Sequence, residues 1–301
     1  MCEAADKSWL ERDGQFSASR RIGLAEIIDA WMQLPNKGYL LDPMFDSLRR
    51  WPTTWKSLAQ DNPEITHDET LDTFRAQEVS LAIASAWWGP TGPMITNDEV
   101  AAAVRAHPEQ IVGVASVDIS RPMAAVRELR RCVKEYGFRG LRVLPWLWGL
   151  PPDDRRYYPL YAECVELDVT FCLQVGHAGP MRPSEPGRPI PYLDNVAHEF
   201  PELRIVGGHI GFPWVAEMIS LMMKHSNVYV DTSAYKASRF PPELVGYMRG
   251  PGKHKVMFGT NYPMLTPDEC LAGLDTLGLE REGRQLFLAD NARRAFKLNA
   301  S

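Results

Sequence analysis

Apolar and polar positions along this chain repeat with two periods. In EIIDAWMQLP, residues 26–35, Ile28, Ala30 and Met32 alternate with Asp29, Trp31 and Gln33, the period of two that a β-strand requires. Seven more short apolar runs follow, at residues 78–86, 110–118, 138–145, 169–176, 203–209, 227–233 and 253–261. Helical spacing fills most of the intervals. NDEVAAAVRAHP is read with Asn97 as its cap, and PMAAVRELRRCVKEYG is amphipathic and stops at Gly137. YYPLYAECVELD, YLDNVAHEFP and PWVAEMISLMMKHS follow the next three strands, and further helices start near Asp268 and Arg281. Eight strands alternating with helices predict an α/β fold, a (β/α)8 TIM barrel, rather than an open sheet. The barrel is placed at residues 26–301 as one domain, behind an extension at 1–25 whose first dozen or so residues are read as frayed. Residues 34–66 form a long aromatic insertion after the first strand, carrying Met44, Phe45, Trp51 and Trp55 over the barrel mouth.

Composition narrows the class. The chain has 301 residues, 45% hydrophobic and 24% charged, ordinary values for a globular protein. A net charge of −5 gives no basic face for nucleic acid or an anionic membrane. Five cysteines, odd in number and without CxxC spacing, read as free thiols of a reducing compartment. The polar N-terminus lacks a signal-peptide core, no apolar run is long enough to span a bilayer, and a cytoplasmic location is expected.

Chemistry in such barrels sits at the C-terminal ends of the strands. That rule selects Trp31, Gln33, Trp87, Trp88, Arg142, Gln174, His177, His209, Asp231 and Asn261. His209 is the candidate acid/base, since imidazole titrates near neutrality; the competing reading is a core histidine bonded to a backbone carbonyl. His177 is a second acid/base group, a substrate contact or a plain loop residue. Gln33, Gln174 and Asn261 are expected to form one amide cluster on the barrel axis, donating N–H groups to a developing oxyanion or simply satisfying one another. Arg142 is placed at the mouth as a bidentate anchor for a carboxylate or phosphate, or outward on a helix acid. Trp31, Trp87, Trp88, Trp146 and Trp148, with Tyr262, suggest a rim for a flat, aromatic substrate. Asp29 and Asp231 are candidate partners orienting His209 or the amides.

On these residues the chain resembles the amidohydrolase superfamily, in the amidohydrolase-2 branch that includes aminocarboxymuconate-semialdehyde decarboxylase. IIDAWMQ stands where the branch has aspartate followed by HxH. FCLQVGHAGP corresponds to its fifth-strand histidine segment, and FPELRIVGGHIGFPW and NVYVDTSA to its sixth and seventh strands. KVMFGTNYP corresponds to its eighth-strand GxDxP-like segment. The resemblance runs from about residue 26 to 298 and implies the barrel, a sixth-strand catalytic histidine at His209 and a dimer. It also implies a divalent metal held by two first-strand histidines, a fifth-strand histidine and an eighth-strand aspartate. Here those positions read Trp31, Gln33, Gln174 and Asn261, so no metal and no other cofactor is expected.

The sequence therefore suggests a metal-independent hydrolase of an activated carbonyl, either a C–C bond of a β-keto compound or a lactone, with a small aromatic substrate. The alternative is a non-oxidative decarboxylase or hydratase of an aromatic or unsaturated acid. A non-catalytic barrel that binds an aromatic ligand is the reading from another class.

Overall fold

The computed structural model describes residues 26–298, so the extension at 1–25 and Cys2 lie outside the described residues. Ten strands are present: β1 (Ile27–Met32), β2 (Val79–Ser85), β3 (Trp87–Gly89), β4 (Gly92–Ile95), β5 (Ile111–Ala115), β6 (Gly140–Val143), β7 (Thr170–Gln174), β8 (Ile205–Gly208), β9 (Val228–Asp231) and β10 (Val256–Met257). Eight of them form one parallel sheet in the order β1-β2-β5-β6-β7-β8-β9-β10. The sheet closes where Ala30 N donates to Phe258 O at 2.9 Å, Asn261 N to Trp31 O at 2.8 Å and Gln33 N to Tyr262 O at 3.0 Å. This is the expected single-domain barrel. All six residues of β1 are buried, because one face looks into the barrel and the other lies under helices.

Three details depart from the sequence reading. Trp87 and Trp88 do not simply end a strand: with β4 they form a short antiparallel hairpin turned at Gly92, whose φ of 112° suits glycine. Thr96, not Asn97, caps the helix Asn97–Ala106, through a capping box with Glu99. Asn97 is buried one position later, where its amide exchanges hydrogen bonds with the backbone of Ser116. The insertion after β1 contains short helices, among them Lys37–Leu41 and Thr54–Asp61, and is followed by the helix His67–Arg75. It reaches the mouth as expected: Phe45 and Trp55 are buried there, while Trp51 is 64% exposed.

Cys132, Cys164, Cys172 and Cys270 are free and buried. Among the described residues no helix is long and apolar enough to cross a membrane.

Candidate active site

A cavity of about 220 Å³ opens at the C-terminal ends of the strands. Its walls are aromatic, from Trp31, Tyr39, Phe45, Trp55, Trp87 and Trp146, and its polar groups include Gln174, His177, His209, Tyr235 and Asn261. The rings brace one another: Phe45 and Trp55 lie 4.4 Å apart between centroids, Tyr39 and Trp87 5.1 Å, and Trp87 and Trp146 6.1 Å. Tyr39 and Phe45, which line this cavity, come from the insertion.

Backbone at the mouth is unusual in three places. His209 and Ile210 follow β8 with φ of 74° and 55°, Ala234 follows β9 with φ of 66°, and Asn261 follows β10 with φ of 62°. Such conformations cost about 1–3 kcal/mol each for residues with a side chain and gather at functional sites. Gly208, just before His209, has another constraint: a Cβ there would lie 2.7 Å from the Trp31 ring. The indole fills the axis against bare backbone.

Arg142 is not at the mouth. It is 1% exposed within the barrel, with its guanidinium carbon 3.6 Å from the Trp31 ring centroid, a desolvated cation–π contact. Nη1 donates to Gln33 Oε1 at 3.0 Å, while Nε and Nη2 are buried without partners among the described residues. Burial lowers its pKa to about 10, so it remains a cation. It therefore does not line the cavity as a substrate anchor. A guanidinium is held here because β6 points position 142 inward and the indole covers it.

The amides do not form one cluster. Gln33 Nε2 donates to Asn261 Oδ1 at 3.0 Å and to Tyr262 O at 2.9 Å, which uses both of its N–H groups. Gln33 thus links Arg142 to Asn261 and has nothing left for a substrate. Gln174 stands apart: its Oε1 accepts from Trp146 Nε1 at 2.6 Å and its Nε2 donates to His177 O at 2.8 Å. Asn261 and Gln174 line the cavity and each keeps donor capacity toward it; the Nδ2 of Asn261 meets only Met264 Sδ, at 3.5 Å.

Four other expected contacts change place. Trp88 and Trp148 lie outside the cavity lining, on the hairpin and at the end of the short helix Pro145–Trp148. Tyr262 is buried against Phe74 of the outer helix, at 5.3 Å, and does not line this cavity. Asp29 does not orient His209. Its carboxylate takes Trp31 N at 2.9 Å, Thr260 N at 3.0 Å and Thr260 Oγ1 at 2.5 Å, fixing the segment that carries Asn261. Burial pushes its pKa up to about 7 against those donors.

His209 lines the cavity, and its ring is held by Ser233. Its Nδ1 lies 2.6 Å from the hydroxyl of Ser233, which donates a short hydrogen bond to Asp231 Oδ1. Burial, then the charge of Arg142, lowers its pKa to about 3, so the imidazole is neutral at physiological pH. Asp231 is raised to about 6, chiefly by burial, although Ser233 and Arg142 oppose that. The sequence reading missed Ser233. It lies two residues beyond Asp231, where the alternation of an extended chain puts both on one side, and that spacing was the available signal. His177 is exposed at the rim, where its N–H donates to Phe212 O at 2.7 Å.

The donor set at the four metal positions does not fit a divalent cation. Trp31 offers no lone pair, and the side-chain oxygens of Gln33, Gln174 and Asn261 already accept from Arg142, Trp146 and Gln33. A buried guanidinium beside them repels a second cation. Among the described residues no three His, Cys, Asp or Glu side chains gather as a ligand group.

This barrel and mouth agree with the sequence comparison: the amidohydrolase family model matches residues 28–298, and the chain belongs to that family. Gamma-resorcylate decarboxylase of Rhodococcus jostii (strain RHA1) is 28% identical over 257 residues, 67% of this chain and 75% of that protein. The 2-keto-4-carboxy-3-hexenedioate hydratase of Sphingobium sp. (strain NBRC 103272 / SYK-6) is 26% identical over 303 residues, 78% of this chain and 85% of that protein. Among solved structures, an uncharacterized TIM-barrel protein from Bordetella bronchiseptica matches with a TM-score of 0.76 at 22% identity, covering 90% of this chain and 98% of that one.

Proposed function

We propose that this chain adds water across the conjugated double bond of a flat carbonyl compound, without a metal, as a hydro-lyase. One observation carries the reading: a neutral imidazole, His209, faces an aromatic cavity with Nδ1 tied back to Ser233 and Nε2 free of any partner among the described residues. A free Nε2 takes a proton from water. That water attacks the far carbon of the double bond as its proton moves to Nε2, so no free hydroxide forms. Charge then moves onto the carbonyl oxygen, where the N–H groups of Asn261 and Gln174 receive it. Arg142 supports this from below: its cation polarises Gln33, and Gln33 polarises Asn261, so the last N–H is a stronger donor. The proton on Nε2 returns to the α-carbon, and H and OH have been added.

Hydrolysis of an activated carbonyl is the second reading, since the same base and donors serve attack on a carbonyl carbon. Decarboxylation is less well supported. No Arg or Lys is among the cavity's described lining residues to seat a carboxylate. Two kinds of lyase stand among the relatives, and the hydratase is the one whose step this site supports.

The test is incubation with a panel of conjugated 2-oxo-enoates and aryl enones. Loss of the conjugated absorbance with a mass gain of one water is expected, and His209→Ala should slow it about 10²–10⁴-fold. Release of carbon dioxide would overturn the reading. Two fragments that together contain one added water would transfer it to hydrolysis, and tight ligand binding without turnover would make the chain a binding barrel.

A further inference from the structure

His209, Ser233 and Asp231 contain the three residue types of a hydrolytic triad, but in a different order. Serine stands in the middle, 0% exposed, and does not line the cavity, so its oxygen cannot reach a substrate as a nucleophile. What it can do is fix hydrogens. Asp231 Oδ1 receives Ser233 N at 2.9 Å as well as the hydroxyl, and His209 N lies at 3.5 Å. An ionised carboxylate only accepts, and a hydroxyl has one hydrogen to give. With that hydrogen directed to Asp231, the serine oxygen can only accept from Nδ1. Nδ1 therefore carries the imidazole hydrogen and Nε2 is bare.

We propose that Ser233 and Asp231 are positioning residues that hold His209 in its Nδ1–H tautomer and, through the serine hydroxyl, stabilise the imidazolium formed when Nε2 takes a proton from water. The second half rests on the general-base reading above; the first half does not. The two residues separate the roles. Ser233→Ala removes the hydroxyl that accepts from Nδ1 and leaves only the main chain of residue 233 beside the ring, so the tautomer is held less firmly. Asp231→Asn keeps an amide oxygen where Ser233 N and Oγ already donate, so it retains the tautomer and removes only the charge. Other charged or titratable groups near this relay are Arg142 from β6, Cys172 from β7, His177 after β7 and Asp29 from β1.

The experiment is ¹⁵N NMR of the full chain with labelled histidines, His209 being assigned by the signal lost in His209→Gln. A protonated, pyrrole-like Nδ1 and an unprotonated, pyridine-like Nε2 are expected at pH 7 to 8, where Asp231 is ionised. Ser233→Ala should give mixed tautomers, and Asp231→Asn an unchanged one. With an active substrate, Asp231→Asn should lower kcat about 10–100-fold and leave KM within about twofold, the loss of one charge-assisted interaction. A wild-type Nε2–H tautomer, or a tautomer indifferent to Ser233→Ala, overturns the proposal. The wild-type spectrum alone decides the first point, so a variant that fails to fold does not shield it. The correct tautomer without turnover of any conjugated carbonyl would sink the hydration reading and leave the tautomer assignment standing.

Discussion

The two sides of this barrel mouth have opposite chemistry. Where β1 meets β10, Asp29, Trp31, Gln33 and Asn261 form a closed structural network joined to Arg142 of β6. Asp29 binds three donors, Gln33 spends both N–H groups on protein, and a guanidinium lies under an indole. Across the mouth, where β8 meets β9, His209 shows the cavity a nitrogen without a partner, and Asp231 keeps one buried oxygen unpaired. The first side spends Asp29 and Gln33 on protein contacts and leaves the Nδ2 of Asn261 for a ligand, while Trp31 Nε1 and Arg142 Nε and Nη2 stay buried without partners among the described residues. The second presents an imidazole nitrogen to the cavity, the group that acid/base work needs. The acid/base group and the buried cation belong to different strands, and Arg142 acts on His209 and Asp231 through its charge.

Removing that internal cation is the severest way to break the comparison. Arg142→Ala should destabilise the fold by about 3–5 kcal/mol, because it strips Gln33 Oε1 of its donor, deprives Asp231 of a neighbouring positive charge and hollows out the space under Trp31. Arg142→Met keeps most of the packing on the indole and should cost less, about 1–3 kcal/mol, most of it the unpaired amide oxygen. Urea denaturation of both variants measures the gap. Equal losses would mean that packing alone matters and that the charge does no work.

A pH profile sharpens the other side. Asp231 titrates at about 6, and the charge that assists His209 is present above that value and lost as pH falls through it. His209, at about 3, stays neutral throughout that window. The acid limb of kcat should therefore lie near 6 and belong to Asp231, with Asp231→Asn slower and flat across the same range. A limb that survives in Asp231→Asn assigns it to another group.

The barrel was legible in the sequence because strand and helix periods are local properties, and eight strands alternating with helices leave few topologies. The placement of His209 was legible for the same reason: it ends a strand. What failed were inferences that depend on depth along the axis. Arg142 and Trp31 each sit at a strand end, yet which one reaches the cavity is decided by their stacking, a contact between strands far apart in sequence. Tyr262 follows Asn261 and points the other way, to Phe74. Trp88 and Trp148 failed for a related reason, since a hairpin and a single helical turn carry them off the rim.

The mildest prediction concerns metal. Elemental analysis of the purified chain, before and after chelation, should find substoichiometric divalent metal in both samples, with turnover unchanged by the chelator. A stronger version restores the first-strand pattern with Trp31→His and Gln33→His. Two imidazoles would then face Gln174 and Asn261, both neutral, with Arg142 still positive beside them. Zinc or manganese needs more negative charge than that site supplies, and the guanidinium would lose its aromatic cover. The double variant should bind no metal tightly in isothermal titration. Adding Arg142→Met and Asn261→Asp should begin to restore affinity, because those changes remove the resident cation and return a carboxylate. Tight metal in the double variant would show that Arg142 does not hold the site's positive charge, and the contrast between the two sides would then rest on Trp31 alone.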